Sequence, residues 1–130
     1  MISVLIADDQ DLVREGLRML LEAEPDLAVA GEAADGSQAL AQARLLDPDV
    51  ILMDVRMPRM NGIELLREVR NDPALCSTTV VVLTTSKDEQ DMIDAYNLNV
   101  AGYLVKPVTF ANFCEVMVAL NKYWSLVEFP

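Results

Sequence analysis

Five polar residues each stand at the end of a short apolar run. Asp8 and Asp9 follow Ile2-Ser3-Val4-Leu5-Ile6-Ala7, Asp54 closes Val50-Ile51-Leu52-Met53, Thr84 closes Val80-Val81-Val82-Leu83, and Lys106 follows Tyr103-Leu104-Val105. Such runs read as strands buried on both faces. If the strands are parallel, their C-terminal ends share one edge, where chemistry collects in open α/β sheets. Three carboxylates gathered there repel one another, and at least one should hold its proton more tightly unless a cation is present. A hard divalent ion such as Mg2+ relieves the repulsion and leaves positions open for water or phosphate oxygens. Lys106 offers a flexible positive charge and Thr84 a hydroxyl donor, both suited to phosphoryl oxygens. A carboxylate can attack phosphorus and form an acyl phosphate. Asp54, lone and strand-terminal, is the candidate nucleophile.

Each residue has a plainer reading when taken alone. Asp8-Asp9 could be a solvated strand end or a helix cap, and Asp54 could cap the loop after it. Thr84 and Thr85 favour strands in any case, Lys106 could be a surface lysine, and Tyr103 a core ring with its hydroxyl at the rim. Convergence of all of them on one edge is what favours the chemical reading.

Composition narrows the choices. The chain has 130 residues, enough for one domain with a real core and too few for two. Hydrophobic residues make up 52% and aromatics 5%, so the interior must be aliphatic. No apolar run approaches the roughly 20 residues that span a bilayer. Met1 leads into Ile2-Ser3-Val4 with neither a basic region nor a cleavage site, which predicts a cytoplasmic protein without a signal peptide or membrane partner. A net charge of -11 argues against nucleic acid as a partner. Cys76 and Cys114 lack a C-x-x-C spacing and read as reduced thiols. The chain holds no histidine, which excludes a histidine triad, a histidine zinc site and phosphohistidine chemistry of its own. A metal here must be held by oxygens.

The elements that would position these residues follow from periodicity and punctuation. Asp11 to about Glu24 reads as a helix with Val13, Leu17, Leu20 and Leu21 on one face, ended by Pro25-Asp26. Leu27 to Ala34 is a strand, Asp35-Gly36 a turn, and Ser37 to Leu46 a helix stopped at Asp47-Pro48. Beyond Asp54, Pro58 and Asn61-Gly62 interrupt regular structure before a helix from Gly62 to about Arg70. Asn71 to Thr78 is a connector. Ser86-Lys87-Asp88-Glu89 fits a capping box opening a polar helix to about Asn97. Val100 to Val105 is the last strand, and Thr109 caps a final helix with Phe110, Phe113, Met117, Leu120 and Trp124 on one stripe. Strands alternating with helices require parallel strands and right-handed crossovers, an α/β fold.

With these motifs in order, the chain resembles a two-component response-regulator receiver domain. The likeness rests on Asp8-Asp9, on Met53-Asp54-Val55-Arg56-Met57-Pro58 with Asn61-Gly62, on Val82-Leu83-Thr84-Thr85, and on Tyr103-Leu104-Val105-Lys106-Pro107. It covers essentially residues 1–130, one receiver domain. The resemblance implies a flavodoxin-like (βα)5 three-layer sandwich with parallel strand order 2-1-3-4-5. It implies that Asp54 takes a phosphoryl group from a histidine kinase or phosphotransfer partner, as a signalling phosphoacceptor rather than an enzyme acting on other molecules. Asp9, Asp54 and the Arg56 backbone carbonyl would ligate Mg2+, with Asp8 acting through water. Thr84 and Lys106 would bind phosphoryl oxygens, and Tyr103 would turn inward as Thr84 is drawn to the phosphate. The Lys106-Pro107 bond would be cis.

Residues up to about Arg70 resemble receivers that carry a helix-turn-helix output, and those from about Asn71 resemble stand-alone receivers partnering bacterial phytochromes, as in a hybrid of two parents, one that could be engineered. The chain ends with the last helix, so output is expected from a surface that changes on phosphorylation. The fourth helix, fifth strand, fifth helix and the apolar tail Tyr123 to Pro130 are the expected homodimer contact. A Mg2+-dependent aspartyl-phosphate phosphatase would need an acid where Arg56 stands. A flavin-binding flavodoxin-like module would need a hydroxyl- and glycine-rich loop where Ala7-Asp8-Asp9-Gln10 stands.

Overall fold

The computed structural model describes residues 2–85, 87, 89, 90, 93 and 99–106. Its elements are β1 (Ile2–Ala7), α1 (Asp11–Glu22), β2 (Leu27–Ala33), α2 (Gly36–Leu46), β3 (Val50–Asp54), α3 (Gly62–Asn71), β4 (Thr79–Thr84) and β5 (Gly102–Val105). Lys87, Glu89, Gln90 and Ile93, between β4 and β5, are helical. The strands form one sheet in the order β2-β1-β3-β4-β5, and each neighbouring pair is parallel. This is the flavodoxin-like order that the resemblance implies.

Alternation along each strand sends successive side chains to opposite faces. Val4 and Ile6 of β1 join Leu52, Val81, Leu83 and Leu104 on one face, where Leu17 and Leu21 of α1 cover them. Leu5 and Ala7 join Ile51, Met53, Val80 and Val82 on the other, under Ala39 and Ala43 of α2 and Leu65, Leu66 and Val69 of α3. Burial on both faces is why β3 and the middle of β4 are apolar up to their terminal polar residues, Asp54 and Thr84. Full burial of a side chain such as Leu17 or Leu21 contributes about 1.5–3 kcal/mol. Across the point where the two parts of the sequence resemble different relatives, Leu66 and Val69 share one buried cluster with Leu75, Val80 and Val82.

The register aligns the chemistry. Ala7 pairs with Met53, Asp54 with Leu83, and Thr84 with Val105. Asp8, Asp54, Thr84 and Lys106 therefore emerge at one sheet edge.

Element ends depart from the sequence reading where local hydrogen bonds take over. Helix α1 ends at Glu22 as Glu24 N–H donates to Leu21 O, three residues back, tightening the last turn before Pro25. Strand β5 starts at Gly102 rather than Val100, since Asn99 adopts a φ of 55° and pairing begins only after Ala101 N–H reaches Val80 O. Asp35 is more than a turn residue: its carboxylate caps α2, accepting from Gln38 N–H at 2.8 Å. The helix expected from Thr109, the Lys106-Pro107 bond, Cys114, the cap at Ser86 and the tail Tyr123 to Pro130 lie outside the described residues. Among the described residues no helix is long and apolar enough to cross a membrane.

Candidate functional site

The end of β1 delivers Asp8 to the sheet edge fully buried, and Asp9, next to it, is exposed. One Asp8 oxygen, Oδ1, accepts from Gln10 N–H at 2.8 Å. The other, Oδ2, lies 2.7 Å from Lys106 Nζ but receives no directed hydrogen bond. It is a buried carboxylate oxygen whose partner is the Lys106 ammonium. Asp54, last in β3, is 5% exposed. Its Oδ2 accepts from Lys106 Nζ at 2.8 Å and its Oδ1 from Arg56 N–H at 3.3 Å. One oxygen from each of Asp8, Asp9 and Asp54 falls within 4.8 Å of the others.

Lys106 is placed by Thr84, whose carbonyl accepts from Lys106 N–H at 2.8 Å, and its ammonium also approaches Gln10 Oε1 at 3.4 Å. Burial pushes the Asp54 carboxyl above the usual carboxylate range; the Lys106 hydrogen bond opposes this and the charge of Asp8 reinforces it. For Lys106, burial acts downward and is the largest influence. The hydrogen bond to Asp54 and the contact with Asp8 together outweigh it and hold the ammonium pKa above its ordinary value. Lysine thus supplies the positive charge between two buried carboxylates.

Thr84 is fully buried, and its hydroxyl accepts from Gln90 Nε2 at 3.4 Å. Tyr103 pairs with Val82, two residues before Thr84, so the two side chains share a sheet face. The ring is partly buried against the α2/α3-side cluster. All the residues singled out in the sequence, Asp8, Asp9, Asp54, Arg56, Thr84, Tyr103 and Lys106, lie at or beside this edge.

The donor set fits a hard cation. Every candidate ligand atom is an oxygen, and two of the three carboxylates are buried.

Several partners escape a reading by motif. Arg14 donates to the Asp8 carbonyl at 2.5 Å, pinning the turn after β1. Glu89, buried, accepts from Thr85 N–H at 2.8 Å and from Arg56 Nε at 3.0 Å. Asp35, also buried, accepts from Arg59 Nη1 at 2.5 Å. The Asp35-x-x-Gln38 spacing carried a signal for the cap, because Gln38 Oε1 also reaches back to Ala34 N–H at 3.0 Å. Nothing in the local sequence announces the two arginine partners.

Residues 4–118 match the family described as Response regulator receiver domain. Over 105 residues the chain is 46% identical to the uncharacterized transcriptional regulatory protein YxjL of Bacillus subtilis (strain 168), which covers 81% of this chain and 47% of that protein. The chain thus spans about half the length of the curated relatives it matches. Among solved structures, the bacteriophytochrome response regulator RtBRR is similar with a TM-score of 0.81 and 33% identity, covering 92% of this chain and 78% of its own. The REC domain of AraT, a response regulator from Geobacillus stearothermophilus, gives 0.82 and 31%, covering 97% and 98%. A carboxylate cluster at the edge of a β2-β1-β3-β4-β5 sheet, on a chain matched over nearly its whole length, leads to one conclusion: the chain belongs to the response regulator receiver domain family.

Proposed function

We propose that the chain accepts a phosphoryl group on Asp54 from a partner histidine kinase or phosphotransfer protein. The observation that carries this is the environment of Asp54: a buried, strand-terminal carboxylate with Lys106 Nζ at 2.8 Å and two further carboxylates within 4.8 Å. An Asp54 oxygen attacks phosphorus, a P–O bond to Asp54 forms, and the P–N bond to the donor histidine breaks with its electron pair staying on nitrogen. No oxidant or reductant is needed. Lys106 exchanges part of its contact with Asp54 for a phosphoryl oxygen, and Thr84 offers its hydroxyl once Gln90 releases it. Asp8, Asp9, Asp54 and the Arg56 carbonyl would hold Mg2+, which when bound supplies charge neutralisation among the carboxylates and the phosphoryl oxygens.

Movement of Thr84 vacates space on the face that Tyr103 shares, and the ring can turn into it. A phosphoryl group need only bind one of two such arrangements better to shift their populations. The surface around β5 and the helical residues after β4 then reports the change, through a partner protein or a second copy of the chain with the tail Tyr123 to Pro130 in the contact. The reading carries no nucleic-acid partner for this domain and places it in the cytoplasm, where Mg2+ and kinases are available.

Incubation with Mg2+ and acetyl phosphate, read by intact mass, tests the central claim. One added phosphoryl group is expected, absent from Asp54→Asn. Equal labelling of Asp54→Asn would show that another residue accepts the group.

A further inference from the structure

The loop that carries the chain from Asp54 to α3 is held by two arginines, and both reach carboxylates that are themselves buried. Arg56 Nε lies 3.0 Å from Glu89 Oε2, with side-chain exposures of 78% and 7%. Arg59 Nη1 lies 2.5 Å from Asp35 Oδ2, with exposures of 71% and 2%. Glu89 belongs to the helical residues after β4 and Asp35 caps α2, so the loop is tied to two separate elements. Both carboxylates are anchored independently, Glu89 by Thr85 N–H at 2.8 Å and Asp35 by Gln38 N–H at 2.8 Å. They are fixed points to which a solvent-facing loop is fastened.

The backbone agrees with a fastened loop. Arg59 has a φ of 66°, a left-handed conformation that a non-glycine residue keeps only where its surroundings impose it. A Cβ at Gly36 would run into the Met60 carbonyl, so loop and α2 approach as closely as glycine permits. Within the loop, Met60 N–H donates to Pro58 O at 2.7 Å and Gly62 N–H to Val55 O at 2.8 Å.

We propose that Arg56 and Arg59 are positioning residues for the cation, holding the backbone at Arg56 so that its carbonyl is available beside Asp8, Asp9 and Asp54. This rests on the cation reading above. Exposed ion pairs contribute little as a rule, but here each arginine meets a carboxylate that is itself buried, so the ties resist opening. The proposal also predicts a sign opposite to simple electrostatics. Removing a positive charge near a divalent cation should tighten its binding by Coulomb's law, whereas releasing the loop should weaken it.

Calorimetric Mg2+ titration of the unaltered chain, Arg56→Gln, Arg59→Gln and the control Arg44→Gln decides between these. Arg44 pairs with Asp72 at 2.9 Å at the opposite ends of α2 and α3 and has no tie to the loop. Arg56→Gln and Arg59→Gln should each weaken Mg2+ about threefold or more, and Arg44→Gln should leave it unchanged. Without Mg2+, amide exchange at Met60 and Gly62 should quicken in the two loop variants only. Unchanged or tighter Mg2+ binding in both, with normal binding by the unaltered chain, overturns the inference alone. Failure of the unaltered chain to bind Mg2+ overturns the cation reading and this inference with it.

Discussion

Asp54 and Asp35 are both buried aspartates near the same edge, yet folding treats their charges in opposite ways. Burial holds the Asp54 carboxyl above its ordinary pKa of 3.8, so the folded state prefers its proton. Below pH 3.8 both folded and unfolded chains carry that proton and no penalty arises; as pH rises through the raised folded value the penalty appears and then persists. Asp54→Asn should therefore be more stable than the unaltered chain at neutral pH in EDTA, with the gain vanishing as pH falls. For Asp35, the Gln38 N–H bond, followed by Arg59, holds the carboxyl below 3.8. Its stabilisation is present above 3.8 and is lost as pH falls through the depressed folded value, so Asp35→Asn should lose stability at neutral pH and match the unaltered chain in acid. Denaturant unfolding at a series of pH values reads both, and a shared sign would refute this assignment. The contrast also marks what a sequence discloses. Asp54, Asp8, Thr84 and Lys106 were legible because each ends an apolar strand, and strand order alone brings them together. The partners Glu89 and Asp35 lie 33 and 24 residues from their arginines, across loop-to-helix contacts that follow no period.

The passage from β3 to α3 shows why Asn61-Gly62 must stand after Asp54. Asn61 caps α3, accepting from Glu64 N–H at 2.9 Å, while the Glu64 carboxylate accepts from Asn61 N–H at 3.2 Å. This reciprocal capping box lies on polar residues that read from sequence merely as a break in structure. Gly62 has an ordinary φ, so conformational freedom is not its role. A Cβ there would strike the Asp54 carbonyl oxygen and come within 2.7 Å of Val55 Cα, both backbone atoms that cannot rotate away. Gly62→Ala should cost about 1–3 kcal/mol by overpacking and displace the end of β3. Asn61→Ala should cost about 1 kcal/mol through the lost cap. Thermal unfolding reads both costs, and labelling of Asp54 by acetyl phosphate separates the two, because only Gly62→Ala should impair it. Unimpaired labelling with full stability in Gly62→Ala would mean that the close approach is not required. Proximity of this kind, between a helix start and the strand before it, is invisible to patterns of hydrophobicity.

For the whole molecule the governing fact is a net charge of -11, with three aspartates of that excess gathered at one edge. Repulsion there is a cost to folding that a bound cation removes, so Mg2+ should raise the unfolding temperature by binding the folded state alone. At a hundredfold excess over its dissociation constant the gain is about 2.7 kcal/mol. For a domain near this size that corresponds to a shift on the order of 10 °C. An acidic protein also gains from any salt that screens its charges, so the measurement must separate site from atmosphere. NaCl at matched ionic strength supplies the screening without the site. Asp9→Ala keeps the fold and the screening while removing an exposed candidate ligand whose loss disturbs no core packing. The Mg2+ shift should exceed the NaCl shift in the unaltered chain and collapse to it in Asp9→Ala. Equal Mg2+ shifts in the two proteins would mean that the ion acts on overall charge and that the carboxylate cluster does not bind it.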